Sequence, residues 1–156
     1  MRYFQKNNGM NETKFCYSLP AIGGRYYLIR AAFWSGSSGT LPYPTHTAGV
    51  VRFRLIVDTY LTQEIVIALP QSDVWIEEMY VRAQSSVVMV CLSAASSTTD
   101  APFINSLELR PLGVDYTLGV VAMVNSTKRP LRLVDRQNFG LDGSNPAVLR
   151  YYHDLL

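Results

Sequence analysis

A chain of 156 residues, 48% hydrophobic and 17% charged, has the make-up of one soluble domain or most of one. Ten Tyr carry much of a 12% aromatic share, which argues against intrinsic disorder; 14 Lys and Arg against 12 Asp and Glu leave a net charge of only +2, too slight to propose nucleic acid as a partner. Two Cys exclude a multi-disulfide scaffold and a four-thiolate zinc site.

Helical periodicity is nearly absent, and strand-like segments follow one another at short intervals. Lys14 to Leu19 alternates, with Phe15, Tyr17 and Leu19 on one face, and Pro20 to Gly24 is a turn signal. Arg25 to Trp34 is a long strand candidate whose parity sets Tyr26, Arg30 and Trp34 against Tyr27, Ile29 and Phe33. A Gly/Ser loop closes it, and Leu41-Pro42-Tyr43-Pro44 cannot sit in a central strand because proline lacks the ladder N–H. Val51 to Asp58 turns Phe53, Leu55 and Val57 inward and Arg52 and Arg54 outward. Glu64 to Leu69 repeats the pattern until Pro70, and Val74 to Val81 follows. Val87 to Leu92 is apolar on both faces, the mark of a central strand covered on both sides. After a Ser/Thr loop at 96–100, Phe103 to Arg110 alternates once more. Beyond Pro111 come an apolar stretch at Leu118 to Val124, a loop at Asn125 to Pro130, a strand restarting at Leu131, and a turn cluster at Gly140 to Pro146. Seven strands with turns between them predict an all-β, antiparallel jelly-roll β-sandwich.

Met1 to Asn8 is polar and lacks the apolar core of a secretory signal. The most apolar stretches fall short of the roughly 18–20 residues that a helix needs to cross a bilayer. Two N-glycosylation sequons, Asn11-Glu12-Thr13 and Asn125-Ser126-Thr127, point the other way, toward the secretory route. A truncated chain reconciles the two.

Four segments, in order, resemble the malectin-like domain of plant receptor-like kinases, particularly those with leucine-rich repeats. Arg2-Tyr3-Phe4 with Phe15-Cys16-Tyr17-Ser18-Leu19-Pro20 is similar to the family's Arg-Tyr-Phe and Asn-Cys-Tyr-Thr-Leu. Gly23 to Phe33 is similar to Gly-Gly-Lys-Tyr-Leu-Ile-Arg-Ala-Thr-Phe, and Val88-Met89-Val90-Cys91-Leu92 to Val-Ser-Val-Cys-Leu. Ala101 to Leu112 nearly repeats Thr-Pro-Phe-Ile-Ser-Ala-Leu-Glu-Leu-Arg-Pro-Leu. The resemblance implies the later part of a first malectin unit over residues 1–113, a linker over 114–130, and the truncated start of a second unit over 131–156. There, Leu133 to Gly140 and Leu149-Arg150-Tyr151-Tyr152 resemble the second unit's opening. It also implies a place on the extracellular face of the plasma membrane within a full-length receptor, and it sets Cys16 and Cys91 where the family places its two cysteines. Pairing is then favoured over two buried thiols, the usual state in a reducing cell.

Catalysis finds little support. His46 and His153 stand apart, no nucleophile, metal or phosphate-loop motif occurs, and Glu77 and Glu78 would point to opposite faces. Asp58, Asp73 and Asp100 sit at element edges, where capping a turn is the ordinary role. No cofactor and no metal is expected. Sugars stack their C–H faces on aromatic rings and give their hydroxyls to carboxylates and amides. Trp34, Tyr43, Trp75 and Tyr26 are therefore candidate ligand-binding residues, with packing at the core or rim as the alternative. The expected partners are an oligosaccharide of the cell wall or of glycoproteins, or a peptide ligand, with a second malectin unit or a co-receptor alongside. A structural module without sugar affinity, or a fragment of a carbohydrate-active enzyme, would be read from the same pattern.

Overall fold

The computed structural model describes residues 2–3, 14–35, 49–95, 100–113, 122–125, 127 and 129–134. In them the strands are β1 (Arg2–Tyr3), β2 (Lys14–Pro20), β3 (Tyr26–Phe33), β4 (Val50–Val57), β5 (Tyr60–Ala68), β6 (Trp75–Arg82), β7 (Val87–Ala94), β8 (Phe103–Ile104), β9 (Ser106–Pro111) and β10 (Leu131–Arg132). They form two four-stranded sheets, ordered β10-β6-β3-β9 and β2-β7-β4-β5, with β1 and β8 as a small pair beside them. Every pairing is antiparallel. From β2 to β7 only the β4–β5 connection stays within one sheet; each other connection carries the chain across the sandwich. That winding explains why each strand needs one apolar face: consecutive segments supply opposite walls of a single core.

The alternation seen in the sequence sets those faces. Tyr27, Ile29, Ala31 and Phe33 of β3 point into the core, as do Phe53, Leu55 and Val57 of β4, Ile65 and Ile67 of β5, and Val88, Val90 and Leu92 of β7. Phe33, Phe53 and Phe103 meet edge to face, with ring centroids 5.3, 5.5 and 6.4 Å apart. One ring comes from each large sheet and one from β8. On the outer face of the first sheet Arg30 is only 7% exposed, because it lies among the carboxylates of Glu78 and Glu108 from the flanking strands, and Arg110 joins Glu108. At the turn between β2 and β3, Gly24 has φ +83°, a region that favours glycine, and donates its N–H to the Ala83 carbonyl.

The structure redraws four segments. β5 begins at Tyr60 rather than Glu64, since Asp58 adopts φ 52° in a tight hairpin and lets pairing start at Val57–Tyr60. β7 is the central strand expected, but its outer face at Val87 and Met89 is only half buried. The run Phe103 to Arg110 is two strands, because Asn105 leaves the ladder and spends its side chain on the backbone of Trp34. The stretch read as an apolar tract and a loop holds helical residues at 122–125 and 127, with Val124 buried. The Ser/Thr loop at 96–99, the Pro-flanked segment around Tyr43, both histidines, Asn11, and residues 135–156 lie outside the described residues.

Cys16 and Cys91 form a disulfide across the β2–β7 register, where they stand directly opposite each other. With a sequence separation of 75, it closes a loop worth about 4 kcal/mol in the chain-entropy account. The double substitution Cys16→Ser, Cys91→Ser is expected to lower urea-unfolding stability by about that amount; unchanged stability would show that the bond constrains nothing. Phe53→Ala, which empties the centre of the ring cluster, is expected to lose about 3–5 kcal/mol by the same measurement.

Candidate functional site

The candidate aromatic residues separate onto opposite ends of one strand. β3 is eight residues long, so its ends lie about 24 Å apart. Tyr26 stands at one end beside Arg82; Phe33 stands at the other beside Trp75, with Trp34 following.

At the tryptophan end, Trp34 is 43% and Trp75 36% exposed, and Val74 and Ile76 next to Trp75 are exposed as well. The backbone beneath them is fixed by amides. Asn105 Oδ1 accepts the Trp34 N–H at 2.7 Å, and its Nδ2 donates to the Trp34 carbonyl at 3.0 Å. Buried Gln71 accepts the Ser35 N–H and donates to the Phe33 carbonyl. The Trp75 indole N–H donates to Glu77 Oε1 at 2.9 Å. Glu77 and Glu78 do face opposite ways. Glu77 shares the inward parity of Met79 and Val81 and is 1% exposed, held by Arg132 through Nε at 2.7 Å and Nη2 at 3.0 Å. The hydrogen bond that Arg132 donates to Glu77 raises the Arg132 pKa above the ordinary arginine range; burial opposes this and the charge of Glu77 adds to it. Because the folded value is raised, the stabilisation is complete through the neutral range and is lost only in strong alkali.

At the Tyr26 end, where Arg82 pairs with Tyr26, lies a groove of about 640 Å³. Three regions build it: the β4–β5 hairpin with Asp58 and Tyr60, the end of β6 at Arg82 with Gln84 and Ser85 of the β6–β7 connection, and, before β10, helical Val124 and Asn125 with Arg129. Asp58 ties its hairpin to the central strand, its N–H donating to the Met89 carbonyl at 2.7 Å and its Oδ1 accepting the Met89 N–H at 2.9 Å. Exposed Tyr60 presents its ring to the Arg129 guanidinium, 5.9 Å from the centroid. Tyr26 stands behind the wall, its hydroxyl donating to Asn125 Oδ1 at 2.7 Å. The groove thus sets an aromatic face and apolar Val81 and Val87 beside a carboxylate, amides and two guanidinium groups. Such a surface can hold a ligand with one apolar face and many hydroxyl or amide groups.

Two candidates, Tyr26 and Asn125, are therefore joined by a hydrogen bond beside the groove, while Trp34 and Trp75 both lie toward the far end of β3, on opposite strand parities. Tyr60, Arg82 and Arg129 carry no signal of a site in the sequence; the positive-φ turn at Asp58 that turns Tyr60 toward the groove is marked there only by an aspartate at a strand end. Among the described residues no group of three or more His, Cys, Asp and Glu could hold a metal ion, and no helix is long and apolar enough to cross a membrane.

The malectin-like domain model matches residues 1–156. The chain belongs to the malectin-like domain family. It is 35% identical over 147 residues to one probable LRR receptor-like serine/threonine-protein kinase of Arabidopsis thaliana, covering 90% of this chain. A second such kinase of that plant is 30% identical over 149 residues, covering 89%. The chain spans 14% of the length of either relative. In fold it matches the plant receptor-like kinase ANX2 and the ANX1 ectodomain from Arabidopsis thaliana. Both have a TM-score of 0.51, at 14% and 15% identity, over 65% of this chain and 27% of theirs. A chain of the plant peptide RALF23 complex with FER and LLG2 matches at TM-score 0.50 and 16% identity, over 67% of this chain and 27% of that one. The fold is thus one that the ANX1 ectodomain shares.

Arg132 and Glu77 are expected to behave as one unit. Arg132→Ala should destabilise the malectin-like fold by about 2 kcal/mol, below the full value for a buried pair because Arg132 is partly exposed. Adding Glu77→Gln should return part of that loss, since the stranded charge is gone. A double-mutant cycle in urea that gives simple additivity would refute the coupling.

Proposed function

We propose that this chain is the extracellular recognition module of a plant receptor-like protein, and that it takes an oligosaccharide in the groove beside Tyr60. The disulfide and the two sequons support the secretory route, because such bonds persist in oxidising compartments. The relatives support the receptor context. The observation that carries the ligand reading is the groove itself: its volume lies in the range of small-molecule sites, and the ring of Tyr60 stands beside Asp58, Gln84 and Asn125. A sugar ring would lie on Tyr60 and give its hydroxyls to those groups. Tyr26 serves there as a support for Asn125. Exposed Trp75, with Val74 and Ile76, would offer a separate apolar surface to a neighbouring malectin unit or co-receptor, with Trp34 near the same end of β3.

The same proposal divides the chain into a sandwich over residues 1–113, a connecting segment over 114–130 and the opening of a second unit over 131–156. Leu131–Arg132 would then lend its first strand to the edge of this sandwich.

A peptide ligand is the second reading, favoured by the match to the complex that contains the plant peptide RALF23. Both are tested on the chain made in a bacterial periplasm, with its disulfide and without glycans, by screening arrays of plant cell-wall oligosaccharides and of peptides. Saturable sugar binding is expected, weakened about tenfold by Tyr60→Ala and unchanged by Trp34→Ala with Trp75→Ala. Peptide binding lost with Tyr60→Ala would select the second reading. Sugar binding lost only with the tryptophan substitutions would move the site to the other end of β3.

A further inference from the structure

We infer that Asn125 carries an N-linked glycan whose first sugars lie over the groove, so that sequon occupancy decides whether the groove is open. Asn125, the acceptor of the sequon Asn125-Ser126-Thr127, is both exposed and part of the groove's lining. Attachment is compatible with the folded wall. Tyr26 uses only the carbonyl oxygen of the amide, Oδ1, and leaves Nδ2 out of that bond. In the transfer, Nδ2 bonds to the anomeric carbon of a lipid-diphosphate-linked oligosaccharide. The bond from that carbon to the diphosphate oxygen breaks, the lipid diphosphate departs with the electron pair, and Nδ2 gives up one proton. Nδ2 keeps its other N–H and Oδ1 keeps its lone pairs, so the hydrogen bond from Tyr26 survives.

The position of Asn125 then decides where the sugar goes. A sugar bonded at Asn125 begins in a groove that Tyr60, Gln84, Ser85 and Arg129 also line. The groove has room for a sugar ring, and its partners are those a sugar needs: a ring face for C–H groups, and amide, hydroxyl and guanidinium groups for hydroxyls. A glycan tethered there has a high effective concentration and competes with any free oligosaccharide without needing high affinity. This inference rests on the secretory route proposed above but not on the groove's affinity for a free sugar.

The full chain, secreted from plant cells behind a cleavable signal, provides the test. Peptide mass mapping is expected to find a hexosamine-containing adduct on Asn125, absent in both Asn125→Gln and Thr127→Ala. The two variants remove the sequon through different atoms, so a folding defect in one leaves the other to report. Nitration of Tyr60 with tetranitromethane is then expected to be several-fold slower in the glycosylated chain than in either variant, with Tyr80 as the internal reference. An unmodified Asn125 in secreted protein overturns the inference, and so do equal nitration rates at Tyr60. Neither readout uses an added ligand, so array binding by the glycan-free chain reports separately on affinity for a free sugar.

Discussion

The two sheets of this domain are joined, toward the end of β3 that carries Phe33, by three phenylalanine rings, and the rest of the architecture depends on that contact. Phe33 belongs to the first sheet, Phe53 to the second and Phe103 to the short strand beside them, all fully buried. Edge-to-face packing places the positive rim of one ring on the negative face of the next, which fixes angles as well as distances. Because the chain crosses between sheets at almost every connection, neither sheet can be assembled alone. The ring cluster is where these distant segments meet, and the disulfide between β2 and β7 fastens one wall at a second point.

From that contact β3 runs back through the first sheet and organises both ends. It is an inner strand of its sheet, paired with β6 on one side and β9 on the other. Its inward residues are core, and its outward Arg30 is buried among carboxylates from both neighbours. Little on β3 can move independently. What remains available for recognition lies beyond its termini, where connections rather than ladders shape the surface. The separation of the tryptophans from the Tyr60 groove follows from the length of this one strand.

Much of this is legible in the sequence, because period-two alternation reports which face of a strand is buried. Phe53, Leu55 and Val57, or Ile65 and Ile67, declare their direction without any knowledge of their partners. Register across strands is not declared in the same way. Nothing in the string places Trp75 beside Phe33, or Tyr26 beside Arg82, so four aromatic residues read as one candidate set although the described ones belong to two places. Glu77 does carry a signal: it occupies the inward parity of Met79 and Val81, where a carboxylate is costly unless paired. Its partner Arg132 comes from a two-residue strand too short to register in a pattern search. Asn105 interrupts what reads as a continuous strand because its side chain imitates a strand partner for Trp34, a role that composition cannot reveal.

These long-range ties also bear on how the groove exists at all. Two of its walls, the β4–β5 hairpin and the β6–β7 connection, are integral to the sheets. The third, with Val124, Asn125, Arg129 and Pro130, lies outside both sheets and is tied at two places. Tyr26 grips Asn125 near one end, and β10 pairs with β6 at the other, where Arg132 engages Glu77 and Leu133 donates to the Glu78 carbonyl. A buried carboxylate in the core is thus part of what keeps an exposed wall in place. Glu77 cannot be left unpaired at low cost, so the strand carrying Arg132 is drawn to the sheet edge, and the segment before it closes over the end of the sandwich. The ion pair near the opposite end of β6 therefore bears on a wall of the groove that neither of its members lines.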